Sequence, residues 1–118
     1  MYGLPKDFDP AVFVGRVVEM TCFTSNTINV HFDAGVSVTL EGSFLHSFDN
    51  GNDQASQTIP IRKSELMRLI GSQVIAGSID PPGTLVLTFD SGDILKCLDD
   101  LPNYEAYTLR IGEREIIV

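Results

Sequence analysis

Phe13-Val-Gly15-Arg-Val-Val-Glu-Met20 and Leu69-Ile-Gly71-Ser-Gln-Val-Ile-Ala76 are two versions of one pattern, and the residues after each make the pairing firm. The first leads to Ile28-Asn-Val-His-Phe32-Asp33-Ala-Gly35-Val-Ser-Val, the second to Leu85-Val-Leu-Thr-Phe89-Asp90-Ser-Gly92-Asp-Ile-Leu. Gly15 matches Gly71 at an offset of 56, and Phe32, Asp33 and Gly35 match Phe89, Asp90 and Gly92 at an offset of 57. A shared glycine, a shared Phe-Asp-x-Gly and shared apolar alternation predict an internal duplication.

Each copy reads as a short helix followed by three strands. In the first, Asp9 is the expected N-cap, Pro10 the first helical residue and Gly15 the stop. In the second, 60–71 carries Leu66, Leu69 and Ile70 as an i, i+3, i+4 apolar stripe. Strands are predicted at 16–23, 27–32 and 36–45, and again at 72–79, 84–89 and 94–98. Ile28/Val30/Phe32 and Val36/Val38/Leu40 alternate as strands with one wet face do. Asp33-Ala-Gly35, Asp90-Ser-Gly92 and Pro81-Pro82-Gly83 are turn sequences, with the aspartates expected to bond amides two residues on. The long polar stretch after Leu45 reads as a mobile loop. The expected architecture is a single α+β, mainly β domain spanning 1–118. It has pseudo-repeats at 9–45 and 60–98, a linking loop at 46–59 and a C-terminal hairpin at 103–118. The strands are expected to form one curved antiparallel sheet of about seven or eight strands with two short helices.

The chain has 118 residues, enough for one core, with eight Lys/Arg against sixteen Asp/Glu and a net charge of −8. Such a field repels nucleic acid and anionic membranes and favours cationic partners. Asp80, Asp90, Asp93, Asp99, Asp100 and Glu105 are offset only by Lys96 between Asp80 and Glu105. That acid is open to two readings, a solvated face or a docking surface for a basic protein. Cys22 and Cys97 sit in apolar runs and read as reduced, buried thiols. The N-terminus lacks a secretory pattern and no apolar run approaches a membrane span, so a cytoplasmic location is expected.

Chemistry-bearing constellations are sparse. The two histidines, His31 and His46, belong to no metal-ligand spacing, and no Gly-x-Ser-x-Gly elbow accompanies them. The stretch from Asp49 to Asp53 resembles a calcium loop only superficially, since Pro60 falls where a bidentate Glu is required. No phosphate-cradling glycine motif is present, and basic residues are not interleaved with aromatics as in nucleic-acid binders. No catalytic residue, cofactor or metal is expected.

The segment Asp99-Asp-Leu-Pro-Asn-Tyr104-Glu105-Ala-Tyr107, with Ile70-Gly71-Ser-Gln-Val74 and Leu85-Val-Leu-Thr-Phe89-Asp90-Ser-Gly92, resembles a family of small bacterial proteins of unknown function. That family shows Ile-Gly-x-x-Val, Leu-x-Phe-x-x-Gly and Tyr-Glu-Ala-Trp/Tyr motifs. The resemblance covers mainly 69–110; the ending Gly-Glu-Arg-Glu-Ile-Ile-Val departs from the family's apolar, Gly-rich tail. Similar small acidic proteins look like immunity proteins, which neutralise bacterial toxins in competition systems such as contact-dependent growth inhibition. The resemblance implies a non-catalytic inhibitor that occludes the active site of a cationic toxin, such as a nuclease. Asp90, Asp93, Asp99, Asp100, Tyr104, Glu105 and Tyr107 would then face the partner. Tyr104 and Tyr107 are open to a second reading, as a structural corner where the tail joins the sheet. Two other functional classes fit: a small structural or assembly module, forming a homodimer through sheet edges, and an enzyme or small-ligand binder with a pocket inside the curled sheet.

Overall fold

A computed structural model describes residues 4–48, 53–58, 65–81, 83–99 and 106–118. The strands are β1 (Val18–Phe23), β2 (Ile28–Phe32), β3 (Val36–Leu40), β4 (Ser43–Phe48), β5 (Asp53–Thr58), β6 (Val74–Asp80), β7 (Thr84–Phe89), β8 (Ile94–Cys97), β9 (Tyr107–Ile111) and β10 (Arg114–Ile117). One-turn 3-10 helices at Pro10–Phe13 and Leu66–Leu69 precede β1 and β6.

The expected single sheet is not what forms. The strands make two five-stranded antiparallel sheets, ordered β1-β2-β3-β9-β10 and β5-β4-β8-β7-β6. The two expected helices are single 3-10 turns, so the α+β assignment and the helix-plus-three-strand unit are both corrected. Asp9 does cap the first turn, its Oδ1 accepting from the Ala11 amide at 3.0 Å. In the second, Leu66 and Leu69 are buried while Ile70 is exposed, so the apolar stripe is two residues wide and too short to sustain an α-helix. Residues 60–64 of that expected helix lie outside the described residues.

The run 36–45 breaks because the chain changes sheets. The amides of Glu41 and Gly42 both donate to the Ala106 carbonyl, at 3.0 and 2.8 Å. Beyond that bend β4 pairs with β8, while β9 crosses the other way to pair with β3. The polar stretch expected to be a loop contains β5, paired with β4 over Ser43–Phe48.

What recurs along the chain is a turn followed by five strands. In each half the last two strands leave for the other half's sheet. Leu40 opposite Tyr107 in one sheet corresponds to Cys97 opposite Phe44 in the other. The halves meet at a reciprocal seam. The Gly15 amide donates to the Val74 carbonyl and the Gly71 amide to the Val18 carbonyl, both at 2.8 Å. Val17 bridges Gln73 between them. Both glycines have φ +88°, where a side chain would be strained. Asp33 and Asp90 do not bond amides two residues on as expected. Each reaches back to the seam, accepting from the Val17 and Gln73 amides respectively, at 3.0 Å.

Alternation then fills the interior. Ile28, Val30 and Phe32 of β2, Val36, Val38 and Leu40 of β3, and Leu85, Leu87 and Phe89 of β7 are all buried in one core. Phe32 and Phe89, equivalent residues of the two halves, stack at 6.5 Å with planes 5° apart, and Phe13 meets Phe32 edge-on. Of the cysteines, Cys97 is buried and Cys22 half-buried; both are free.

The first 3-10 turn packs against β6, where a Cβ on Gly77 would lie 2.7 Å from the Pro10 carbonyl oxygen. Gly77→Ala is therefore expected to lower stability by about 1–3 kcal/mol, since backbone must move to admit the methyl. Thermal melts read this directly, and an unchanged melting temperature would mean that the turn is not seated on β6.

Candidate functional site

Among the described residues the buried polar and charged side chains are His46, Ser47, Ser72 and Asp93, and two of them meet. His46 on β4 and Asp93, just before β8, are each 1% exposed, with His46 Nε2 2.8 Å from Asp93 Oδ2. The Nε of Arg68, from the second 3-10 turn, lies 3.1 Å from the same oxygen, and its side chain is 36% exposed. Asp93 Oδ1 is buried with no hydrogen-bond partner among the described residues. Three elements distant in sequence thus converge on one carboxylate.

The local reasons are plain. In Ser43-Phe-Leu-His46, Phe44 and His46 share the inward parity of β4. The turn after β7 holds Asp93 by its backbone, with the Phe89 amide donating to the Asp93 carbonyl at 2.9 Å and the Asp93 amide to Ser91 Oγ at 3.3 Å. Arg68 lies one residue before the buried Leu69, so its stem leaves the surface of the turn towards Asp93.

The equivalent positions in the other half carry none of this chemistry. By the matched registers Arg68 corresponds to Val12, Asp93 to Val36 and His46 to Leu109. The polar cluster therefore replaces three aliphatic residues and is the main break in the internal symmetry of the core. Sequence reasoning missed it. Aligning the copies one residue beyond Phe-Asp-x-Gly sets Val36 against Asp93, and that mismatch was the available signal.

Burial pushes the His46 pKa down, and this outweighs the opposing pull of the Asp93 carboxylate; Arg68 adds to the lowering and Glu65 opposes it. The imidazole is consequently neutral at pH 7, donating through Nε2 to the carboxylate that Arg68 also holds. A His–Asp pair with this geometry could orient a general base. At 1% exposure, however, the ring presents no surface to a substrate. Among the described residues no group of three or more His, Cys, Asp or Glu side chains could hold a metal ion.

The residues expected to face a partner are scattered. Asp90 is exposed at its turn. Asp99 is half-buried over the β6–β7 turn, where a Cβ on Gly83 would lie 2.8 Å from its Oδ2. Asp93 belongs to the buried cluster and Tyr107 is fully buried, so both are corrected as surface anchors. Tyr107 takes the corner role: its hydroxyl donates to the Gly83 carbonyl at 2.7 Å, tying β9 to the β6–β7 turn. Burial raises its pKa, with Cys97 and Asp99 nearby adding to the rise. Burial also pushes the Cys97 thiol up to about 12. Asp100, Tyr104 and Glu105 lie outside the described residues, as does the stretch 49–52. His31, on the outward parity of β2, is half-buried. Among the described residues no helix is long and apolar enough to cross a membrane.

Compared with protein-family models, curated proteins and solved structures, the chain matches none.

Two outcomes are expected from the cluster. Asp93→Val takes from His46 and Arg68 the carboxylate they share and is expected to destabilise by about 1–3 kcal/mol, the cost of leaving the buried imidazole N–H without that acceptor. The triple variant Arg68→Val, His46→Leu, Asp93→Val, which copies the other half, should recover most of that loss. Urea unfolding of both variants decides, and a triple variant no more stable than the single would show that the cluster is not a closed unit. The second outcome concerns pH. With its folded pKa below the unfolded value of about 6.5, His46 contributes stability above pH 6.5 that is lost as pH falls through the lowered pKa. Urea midpoints between pH 7.5 and 5 should therefore fall more steeply for the native chain than for His46→Leu.

Proposed function

We propose that this protein is a non-catalytic binding protein that captures a basic protein, in the manner of an immunity protein occluding the active site of a cationic toxin. The observation that carries this reading is the disposition of charge. Among the described side chains twelve carboxylates face six cations. Five of those cations are already engaged within the chain: Arg16 with Asp33, Arg68 with Asp93, Lys96 with Asp80, Arg110 with Glu115 and Arg114 with Asp7. Among the described side chains carboxylates therefore outnumber cations two to one.

A two-sheet scaffold with one continuous core supports the same reading, because a preorganised surface loses little entropy when a partner docks. Long-range attraction of this kind speeds association more than it deepens affinity. The toxin-directed form of the proposal draws on the resemblance of 69–110 to small immunity-like proteins; the acid surplus supports only its wider form, a basic protein partner.

The test is calorimetry and stopped-flow mixing with the purified product of the reading frame adjacent to this gene. One-to-one binding is expected, with an association rate that falls roughly tenfold or more between 50 and 500 mM salt. Absence of binding, or an association rate indifferent to salt, would overturn the proposal.

A further inference from the structure

Seven large hydrophobic side chains stay exposed among the described residues, and four of them, Val14, Met20, Ile70 and Ile75, lie at the seam. All seven belong to four stretches: the two 3-10 turns with the residues that end them, and the edge strands β1 and β6. The seam brings these four together. Val14 precedes Gly15, whose amide is bonded to Val74, so the end of the first turn lies beside the Val74–Ile75 start of β6. Ile70 precedes Gly71, bonded to Val18, so the end of the second turn lies beside the Glu19–Met20 start of β1. Val14, Ile70 and Ile75 are 43%, 51% and 55% exposed, and Met20 is 47% exposed. Two apolar knobs result, one at each end of the seam.

Between the knobs the surface is acidic. Asp33 and Asp90 flank the Val17–Gln73 bridge, each holding its seam amide. Arg16 answers Asp33 at 3.8 Å, but no cation among the described residues pairs with the exposed Asp90. Each knob is a small apolar patch with a polar surround, the kind of surface that marks interaction sites when it is large enough.

We infer that this seam is the docking face for the basic partner, which sets apolar side chains against the Val14/Ile75 and Ile70/Met20 knobs and a Lys or Arg against Asp90 between them. The inference rests on the proposed capture of a basic protein and names where it happens. It moves the contact away from the junction after β8, where the sequence concentrates acid, to the place where acid and apolar surface coincide. A second copy of this chain is the poorer occupant. It would bring two chains of net charge −8 together.

The adjacent reading frame's product is again the probe. Val14→Asp, Ile70→Asp and Asp90→Asn change exposed residues, Asn keeping the Oδ1 that accepts from the Gln73 amide, and circular dichroism melts check that each variant folds. Each should weaken binding at least about tenfold, while Glu113→Lys, in the β9–β10 turn at the opposite edge of its sheet, changes it less than about twofold. Hydrogen exchange in the complex should show protection centred on 14–20 and 70–76, a readout independent of the substitutions. If the native chain binds but the seam variants bind equally well and protection falls elsewhere, the seam is overturned and the basic partner stands. If the native chain does not bind, both fall. If light scattering shows a native dimer that Ile70→Asp disperses, the occupant is a second copy and the inference is overturned.

Discussion

The seam between residues 14–19 and 70–75 is the constraint on which the rest of the structure depends. Each half sends its last two strands into the other half's sheet, so neither half closes a core alone. The β3–β9 and β4–β8 ladders join the halves, and the start of β1 against the start of β6 completes their relative placement. Four backbone hydrogen bonds, in which Gly15, Val18, Gly71 and Val74 are the donors, hold these strand starts across the seam. Asp33 and Asp90 supply the remaining acceptors, satisfying the Val17 and Gln73 amides from the ends of β2 and β7. A turn aspartate thereby couples strand pairing within a half to docking between halves. Below the seam Phe32 and Phe89, the residues just before those aspartates, stack to join the two apolar interiors.

Against that near-symmetry, the His46–Asp93–Arg68 cluster is an expensive exception. A buried carboxylate with one unpartnered oxygen forfeits about 1–3 kcal/mol on that atom alone. Buried ion pairs contribute little net stability compared with the aliphatic residues they displace, and the other half uses Val12, Val36 and Leu109 at the same three places. The cluster makes the two strand exchanges chemically unequal. β3 and β8 offer similar apolar faces, and β4 and β9 must each choose one. Were β9 to take the place of β4 beside β8, Leu109 would stand against Asp93 and the carboxylate would lose the imidazole that meets it at 2.8 Å. Correct pairing is thus the arrangement in which buried polarity is met by polarity.

The elements legible in the sequence were those whose cause is local. The alternation of β2, β3 and β7, the Asp-x-Gly hairpins and the Asp9 cap all follow from neighbouring residues. The exchange of strands does not, because Leu40 and Ser43 are separated only by Glu41-Gly42 and nothing in that dipeptide says which sheet comes next. β5 escaped notice because Asp-Gln-Ala-Ser-Gln-Thr has no apolar alternation; it forms by pairing with β4. Acid crowding picked out Asp93 and Tyr-Glu-Ala-Tyr picked out Tyr107, yet both are inside. Charge density along a chain carries no information about parity, and Asp93 and Asp90 differ in exposure although three residues apart. The polar cluster was accessible only by comparing the copies position by position, because none of its members lies within twenty residues of another.

The bulges in the two edge strands sharpen the meaning of the exposed seam. Both β1 and β6 shift register at their first residues, between Val18 and Met20 and between Val74 and Ala76. A bulge at an edge turns the strand and discourages pairing with another chain, and a charge at the bulged residue strengthens that protection. Glu19 occupies this position in β1. The equivalent residue in β6 is Ile75, exposed beside the first turn, where a structural requirement alone would be met as well or better by another carboxylate. Solubility also argues for charge there, in a chain otherwise rich in it. An aliphatic side chain at that bulge, with Val14 before one seam glycine and Ile70 before the other, therefore incurs a cost that the scaffold does not impose. On the proposed reading, contact with a partner would remove that cost, and the acid between the knobs would favour a basic one.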